Sequence, residues 1–65
     1  MRARAVIRRI EQRGGVKVRQ SGSHAVYRVG QCTTIVPIHR GDLGTGLLRK
    51  IERDLEPCLG NGWLR

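Results

Sequence analysis

Apolar residues recur at helical spacing near the start of the chain, which predicts a helix over residues 3–13. One face of this helix carries Val6, Ile7 and Ile10, with Ala3 behind them. The pair Gly14-Gly15 predicts where the helix ends, because glycine readily adopts the left-handed conformation that follows many helix C-termini. The first element of the chain is therefore expected to be an amphipathic helix with a basic outer face.

Two stretches of alternating residues follow, joined by the turn-forming sequence of residues 20–23. Residues 16–19 alternate valine with a basic residue, which predicts a strand with the valines facing the core and the bases facing outward. Residues 24–29 alternate again, so two sets of side chains should face opposite ways. The core set is Ala25, Tyr27 and Val29, and the outward set is His24, Val26 and Arg28. A hairpin with one apolar and one polar face is the expected result.

The second half of the chain predicts one more strand and one more helix. The β-branched run 33–36 is typical of a strand and is closed by Pro37. A second helix is expected over residues 43–56, ending at Pro57. Its apolar stripe consists of Leu43, Leu47, Leu48, Ile51 and Leu55. The tail that follows carries Trp63, which we expect to pack against the core.

These elements predict one α+β domain over residues 1–65, with a core of about residues 3–56 and a C-terminal tail at residues 57–65. A three-stranded antiparallel sheet with both helices on one face would bury every apolar stripe and leave the other sheet face open. The alternation then assigns four polar side chains to the open face, namely Lys17, Arg19, His24 and Arg28.

Charge narrows the choice of partners. The chain has 13 Lys and Arg against 5 Asp and Glu, a net charge of +8, and most of the excess lies before residue 29. A surface of one sign fits a polyanion such as nucleic acid, and arginine, the commoner base here, binds phosphate through two parallel hydrogen bonds. An acidic protein partner fits the same charge.

Two cysteines are too few for a disulfide framework, so Cys32 and Cys58 are expected to be reduced and near the core. No metal-binding spacing of Cys and His is present, and neither a metal ion nor a cofactor is expected. No apolar run has the length of a membrane span, and no signal-peptide pattern is visible. The expected location is the cytoplasm, with no membrane contact.

The open face has the groups that phosphodiester cleavage requires. An imidazole changes its protonation near neutral pH and can accept a proton from a ribose 2′-hydroxyl, which makes His24 the candidate catalytic residue. Nearby cations would stabilise charge on the phosphorane, and Gly22 would let the backbone approach a phosphate closely. The simpler alternative is that His24 is an ordinary surface residue and the bases are a solvated face.

Two segments resemble the HicA toxins. Residues 15–24, which read Gly-Val-Lys-Val-Arg-Gln-Ser-Gly-Ser-His, are similar to the family's strand followed by Arg-x-x-Gly-Ser-His. Residues 35–51 are similar to its second block, in which a Val-Pro strand end leads through a basic loop into a helix, here Gly-Leu-Leu-Arg-Lys-Ile at residues 46–51. Both blocks stand in the family's order and at its separation, and together they extend the resemblance over residues 3–56.

The resemblance implies an α-β-β-β-α fold similar to the double-stranded-RNA-binding domain. It also implies an mRNA interferase, a ribonuclease toxin that blocks translation, and an antitoxin of the HicB type that covers the basic face. The catalytic histidine of the family falls on His24, and the expected RNA- or phosphate-binding residues around it are Lys17, Arg19, Gly22, Ser23 and Arg28. Many relatives have a second histidine directly after the first, and Ala25 occupies that position here.

Two other kinds of function fit the same sequence. A non-catalytic RNA-binding module would share the fold and the charge, and Ala25 favours it because it removes a candidate general acid. A basic protein-interaction subunit would bind an acidic partner and no RNA. Only the ribonuclease predicts cleavage that disappears when His24 is replaced.

Overall fold

The computed structural model of the protein describes residues 1–65. The chain forms helix α1 (Ala3–Gln12), strands β1 (Val16–Ser21), β2 (His24–Val29) and β3 (Cys32–Pro37), and helix α2 (Thr45–Leu59). The predicted α-β-β-β-α order is confirmed. No helix is long and apolar enough to span a membrane.

The three strands form one antiparallel sheet in the order β1-β2-β3. The side chains of β2 predicted to face the core are buried, and they share one hydrophobic cluster with the apolar stripes of both helices. Because sheet and helices bury a common cluster, the two helices lie on one face of the sheet, as expected. The cluster contains Ala3, Val6, Ile10, Ala25, Tyr27, Val29, Val36, Leu43, Ile51, Leu55, Trp63 and Leu64.

Helix α1 is held at both ends by backbone contacts. The carbonyl of Arg2 accepts hydrogen bonds from the amides of Ala5 and Val6 at 3.0 and 3.2 Å. At the other end Gly14 has φ +89°, the left-handed conformation that the sequence predicted there. The next residue, Gly15, lies directly against the last turn of α1.

The prediction for β1 is wrong in one respect. Val16 and Val18 are 53% and 42% exposed, so these valines do not face the core. The register between β1 and β2 shifts between Lys17 and Arg19, which means that the strand contains a β-bulge and its alternation breaks. Since β1 is also an edge strand while the helices pack on β2 and β3, no helix covers its side chains.

Helix α2 passes through the proline that was expected to end it. Pro57 lies inside the helix, which continues to Leu59, where the amide of Gly60 donates to the carbonyl of Glu56 at 2.8 Å. A proline removes one backbone hydrogen bond of a helix, so the last turn needs support from elsewhere. Two features supply it, a disulfide bond and the folded-back tail.

The prediction that both cysteines are reduced is also wrong. Cys32 and Cys58 form a disulfide bond between the first residue of β3 and the last turn of α2, with Cα atoms 6.1 Å apart. The two residues are 26 positions apart in sequence. Their proximity arises from the packing of α2 across the sheet, which cysteine spacing alone does not encode.

The tail packs on the domain, as predicted for Trp63. The indole of Trp63 is buried, and its Nε1–H donates to the carbonyl of Glu52 at 2.8 Å. The carbonyl of the neighbouring Leu64 accepts a hydrogen bond from the guanidinium of Arg9 at 2.8 Å. The last residues therefore join α1 to α2 and contribute to the core.

Polar contacts attach α2 to the sheet. The hydroxyl of the buried Thr34 donates to Asp54 at 2.8 Å, and the ammonium of Lys50 donates to the same carboxylate at 2.8 Å.

Burial raises the pKa of Tyr27, and the negative charge of Glu11 raises it further. Both effects favour the neutral phenol, and Tyr27 belongs to the core.

Candidate functional site

The strand register defines three rows of side chains on the face of the sheet that the helices leave open. Residues directly opposite each other in an antiparallel sheet share a face, and the face alternates along each strand. The first row is Ser21, His24 and Pro37; the second is Arg19, Val26 and Ile35; the third is Val16, Arg28 and Thr33.

His24 occupies the end of the sheet, where β2 begins directly after the β1–β2 turn. Its side chain is exposed and takes part in no hydrogen bond or salt bridge. An imidazole with both nitrogens free can accept a proton from a substrate and later return it. The geometry thus leaves His24 available for chemistry.

The two arginines predicted for this face lie at different distances from His24. Arg19 stands in the next row, diagonal to His24, where Cα atoms are about 7–8 Å apart in an antiparallel sheet. Arg28 is four residues along β2, a displacement of about 14 Å at the usual rise of a strand. Arg19 can therefore contact a phosphate held at His24, while Arg28 can contact a neighbouring phosphate.

Lys17 lies on the opposite face from the one predicted. Its partner in the register is the buried Tyr27, because the bulge after Lys17 changes the side to which it points. The ammonium of Lys17 donates to the side chain of Gln20 at 3.0 Å. The structure therefore groups Arg19, His24 and Arg28 on the open face and places Lys17 at the sheet edge.

The β1–β2 turn contains Gly22 and Ser23. Gly22 has φ +57°, and a Cβ at this position would meet no atom within 4 Å. The side-chain amide of Gln20 donates to the carbonyl of Gly22 at 3.0 Å, and the carbonyl of Ser23 accepts the amide of Ile38 at 2.5 Å. The turn is thus fixed at the sheet end beside His24, with open space over its glycine.

The open face also carries apolar side chains that the sequence analysis did not assign to a site. Ile35 is 47% exposed and Val16 is 53% exposed, and the half-buried Val26 lies beside Ile35 in the second row. Alternation in β2 and β3 indicated outward positions for Val26 and Ile35, but apolar outward residues suggest no chemistry by themselves. Next to Arg19 and His24 they form a mixed apolar and cationic surface.

A second cationic cluster lies at the same end of the sheet, in a groove with a volume of about 610 Å³. The groove lies between the start of α1 and the loop that follows β3, and it is lined by Arg2, Ala3, Arg4, Ile7, Ile38, His39 and Arg40. This groove could not be predicted from the sequence, because the residues that line it are far apart in the chain. No three His, Cys, Asp or Glu side chains converge anywhere as a metal site would require.

Comparison with known proteins identifies the family of the chain. A family model described as the HicA toxin of bacterial toxin–antitoxin systems matches residues 3–56. No curated protein and no solved structure gives a significant match, so a likeness of the fold to double-stranded-RNA-binding domains stays a prediction. The match includes all three strands, the β1–β2 turn with His24, and α2 up to Glu56. The chain therefore belongs to the HicA toxin family, whose members act in toxin–antitoxin systems together with an antitoxin.

Proposed function

We propose that this toxin is an endoribonuclease, an mRNA interferase that stops translation by cutting mRNA in the cytoplasm, and that His24 is its catalytic residue. The observation that carries the proposal is the unpaired, exposed imidazole of His24 beside a glycine turn and Arg19. Family membership supports the toxin role, and the net charge of +8 supports a polyanionic substrate.

The proposed reaction is attack by the 2′-oxygen of a ribose on its own 3′-phosphate. His24 takes the proton from the 2′-hydroxyl, the new bond joins that oxygen to phosphorus, and the bond from phosphorus to the 5′-oxygen of the next nucleotide breaks. The leaving oxygen receives a proton from the protonated His24 or from water. The products are a 2′,3′-cyclic phosphate and a 5′-hydroxyl, and DNA is resistant because it lacks the 2′-hydroxyl.

The neighbouring residues have separate roles in this proposal. The guanidinium of Arg19 stabilises the charge that develops on the phosphate. Gly22 and Ser23 let the RNA strand approach the β1–β2 turn closely. Arg28 binds the phosphate of a neighbouring nucleotide further along the face. Lys17, at the edge of the sheet, attracts the RNA at longer range and is expected to matter least.

We further propose that the antitoxin is of the HicB type and covers the face that contains His24. The mixed surface supports this, because protein interfaces combine exposed apolar residues with arginine, and Ile35 is 47% exposed beside Arg19.

The antitoxin and RNA should then compete for this face. Ile35→Lys should weaken antitoxin binding at least tenfold and preserve cleavage; RNA binding that persists at saturating antitoxin would contradict the shared face.

A non-catalytic RNA-binding module is the second candidate. The residue after His24 is the buried Ala25, so no second imidazole adjoins the site, and the first-row partners of His24 are Ser21 and Pro37. Such a module would bind the same RNA with similar salt dependence. RNA cleavage distinguishes the two functions, because only the ribonuclease cuts the RNA that it binds.

The decisive experiment compares RNA cleavage by the purified, antitoxin-free chain with cleavage by His24→Ala. General base catalysis contributes about 10²–10⁴-fold, so the variant should lose at least two orders of magnitude in rate while still binding RNA. Gln31→Ala, an exposed change in the turn between β2 and β3, is the matched control for purification background. Equal rates for the parent and His24→Ala would exclude His24, and RNA binding without cleavage by the parent would favour the binding module.

A further inference from the structure

We propose that the groove between α1 and the loop after β3 is a second RNA subsite, which holds a nucleotide next to the one cleaved at His24. The inference rests on the proposed ribonuclease function and extends it. It adds a site with its own residues, and it assigns a role to a cationic cluster that the site at His24 does not use.

The lining of the groove is divided by polarity. Its apolar part consists of Ala3 and Ile7 on α1 and Ile38 on the loop, and its polar part consists of three arginines and a histidine, Arg2, Arg4, His39 and Arg40. No acidic residue lines it. A nucleotide has the complementary division, since its base presents a flat apolar face and its phosphate presents anionic oxygens.

The cations of the groove are free to bind an anion. None of its three arginines forms a salt bridge within the chain. Asp42 is the acid nearest to Arg40 in the sequence. Its carboxylate lies 3.7 Å from the N-terminal ammonium of Met1 and forms no salt bridge with an arginine of the groove. Three unpaired guanidinium groups around one groove repel one another, and a phosphate would relieve that repulsion.

His39 adds a defined hydrogen-bonding group to the groove. Its Nδ1 lies 2.8 Å from the carbonyl oxygen of Arg40. A carbonyl oxygen can only accept, so Nδ1 carries the hydrogen, and in the neutral ring Nε2 is left as an acceptor. His39 can therefore accept a hydrogen bond from a ribose hydroxyl or a base edge in its neutral form, and it can bind phosphate when protonated.

The position of the groove fits a strand that continues from His24. His24 is the register partner of Pro37, and the amide of Ile38 is bound to the carbonyl of Ser23 beside it. The groove residues Ile38, His39 and Arg40 follow directly in the chain. An RNA strand that leaves the cleavage point across the end of β3 therefore meets the groove at once.

The first test measures binding without cleavage. In a His24→Ala background, the double variant Arg4→Ala/Arg40→Ala is compared with Arg49→Ala/Arg53→Ala, which removes the same charge from the exposed side of α2. Binding of a fluorescently labelled single-stranded RNA is followed by anisotropy at several salt concentrations. The groove variant should bind at least tenfold more weakly, with a salt slope lower by about 0.7, as expected for the loss of one phosphate contact, and the control should change less than about threefold.

The second test uses the active chain and separates this subsite from the ribonuclease itself. A dinucleotide reports on cleavage at His24, and trinucleotides extended on either side report on the neighbouring nucleotide. In the parent, one of the two extensions should raise kcat/KM, and the groove variant should lose that gain while it cleaves the dinucleotide at the parental rate.

Four results would overturn the proposal. Equal weakening of RNA binding by the groove variant and the α2 control would show that the groove arginines contribute only nonspecific electrostatic attraction. Loss of affinity for the antitoxin with unchanged affinity for RNA would make it an acidic-peptide site. A parent that neither binds nor cleaves RNA would remove the ribonuclease function on which the subsite depends, whereas dinucleotide cleavage with no gain from extension removes the subsite alone.

Discussion

Gly15 is the glycine with the least free space for a side chain. An added Cβ would lie 2.3 Å from Cγ2 of Ile10, 2.9 Å from the carbonyl oxygen of Ile10 and 3.0 Å from Cγ2 of Val29. The Ile10 side chain is fully buried, so it cannot move aside into solvent. Gly15 is therefore required for close packing between the end of α1 and the sheet, in addition to the turn that the sequence indicated.

We predict that Gly15→Ala lowers the free energy of unfolding by about 1–3 kcal/mol, which is the usual cost of overpacking a core. Gly46→Ala is the matched control, because a Cβ there meets no atom within 4 Å and the residue lies in the first turn of α2. The control should be neutral or stabilising by about 0.5 kcal/mol. Urea denaturation measures both, and equal stability of the two variants would contradict the tight contact.

At the same scale, the sequence predicted the orientation of β2 residue by residue. Ala25 and Tyr27 are buried and His24 is exposed, because a central strand is held in register from both sides. The orientation of Lys17 was not predictable in this way. It depends on a bulge, and a bulge leaves no mark in a sequence that alternates through it.

At the scale of elements, helices and strands followed from periodicity, while their ends and cross-links did not. The sequence predicted that α2 ends at Pro57, but the helix continues to Leu59 because its last turn is tied to β3. This disulfide bond joins a cysteine on β3 to a cysteine on α2. A separation of 26 residues is not a characteristic spacing, so the bond could not be predicted from the sequence. Local rules thus failed where a long-range contact overrides them.

The disulfide bond should be a large part of the stability of this small protein. A bond that closes a loop of this size is expected to contribute about 3–4 kcal/mol by restricting the unfolded chain. Cys32→Ala/Cys58→Ala should therefore unfold at a lower urea concentration than the oxidised parent. Reduced parent and double variant should denature alike, and a double variant as stable as the oxidised parent would show that the bond adds nothing.

At the scale of the whole molecule, most of the positive charge is not compensated by ion pairs. Three of the five acids take part in ion pairs, and these use the N-terminus, Lys50 and Arg65 as partners. The remaining cations have no carboxylate partner. Composition alone predicted a basic surface and a polyanionic partner, but the groove required the fold, since its residues come from two distant parts of the chain.

This charge should reduce the stability of the free protein, because cations that are not compensated repel one another in the compact state. Sodium chloride screens such repulsion, so raising it from 10 mM to 500 mM should increase the free energy of unfolding by an amount on the order of 1 kcal/mol. Arg8→Glu, which lowers the net charge by two and lies one helical turn from Arg4, should respond less. A parent whose urea midpoint falls with salt would instead indicate that attractive ion pairs dominate. An increase that is smaller in the variant would show that the toxin keeps its cations at a cost in stability, as expected of a surface that a polyanionic substrate or an antitoxin neutralises.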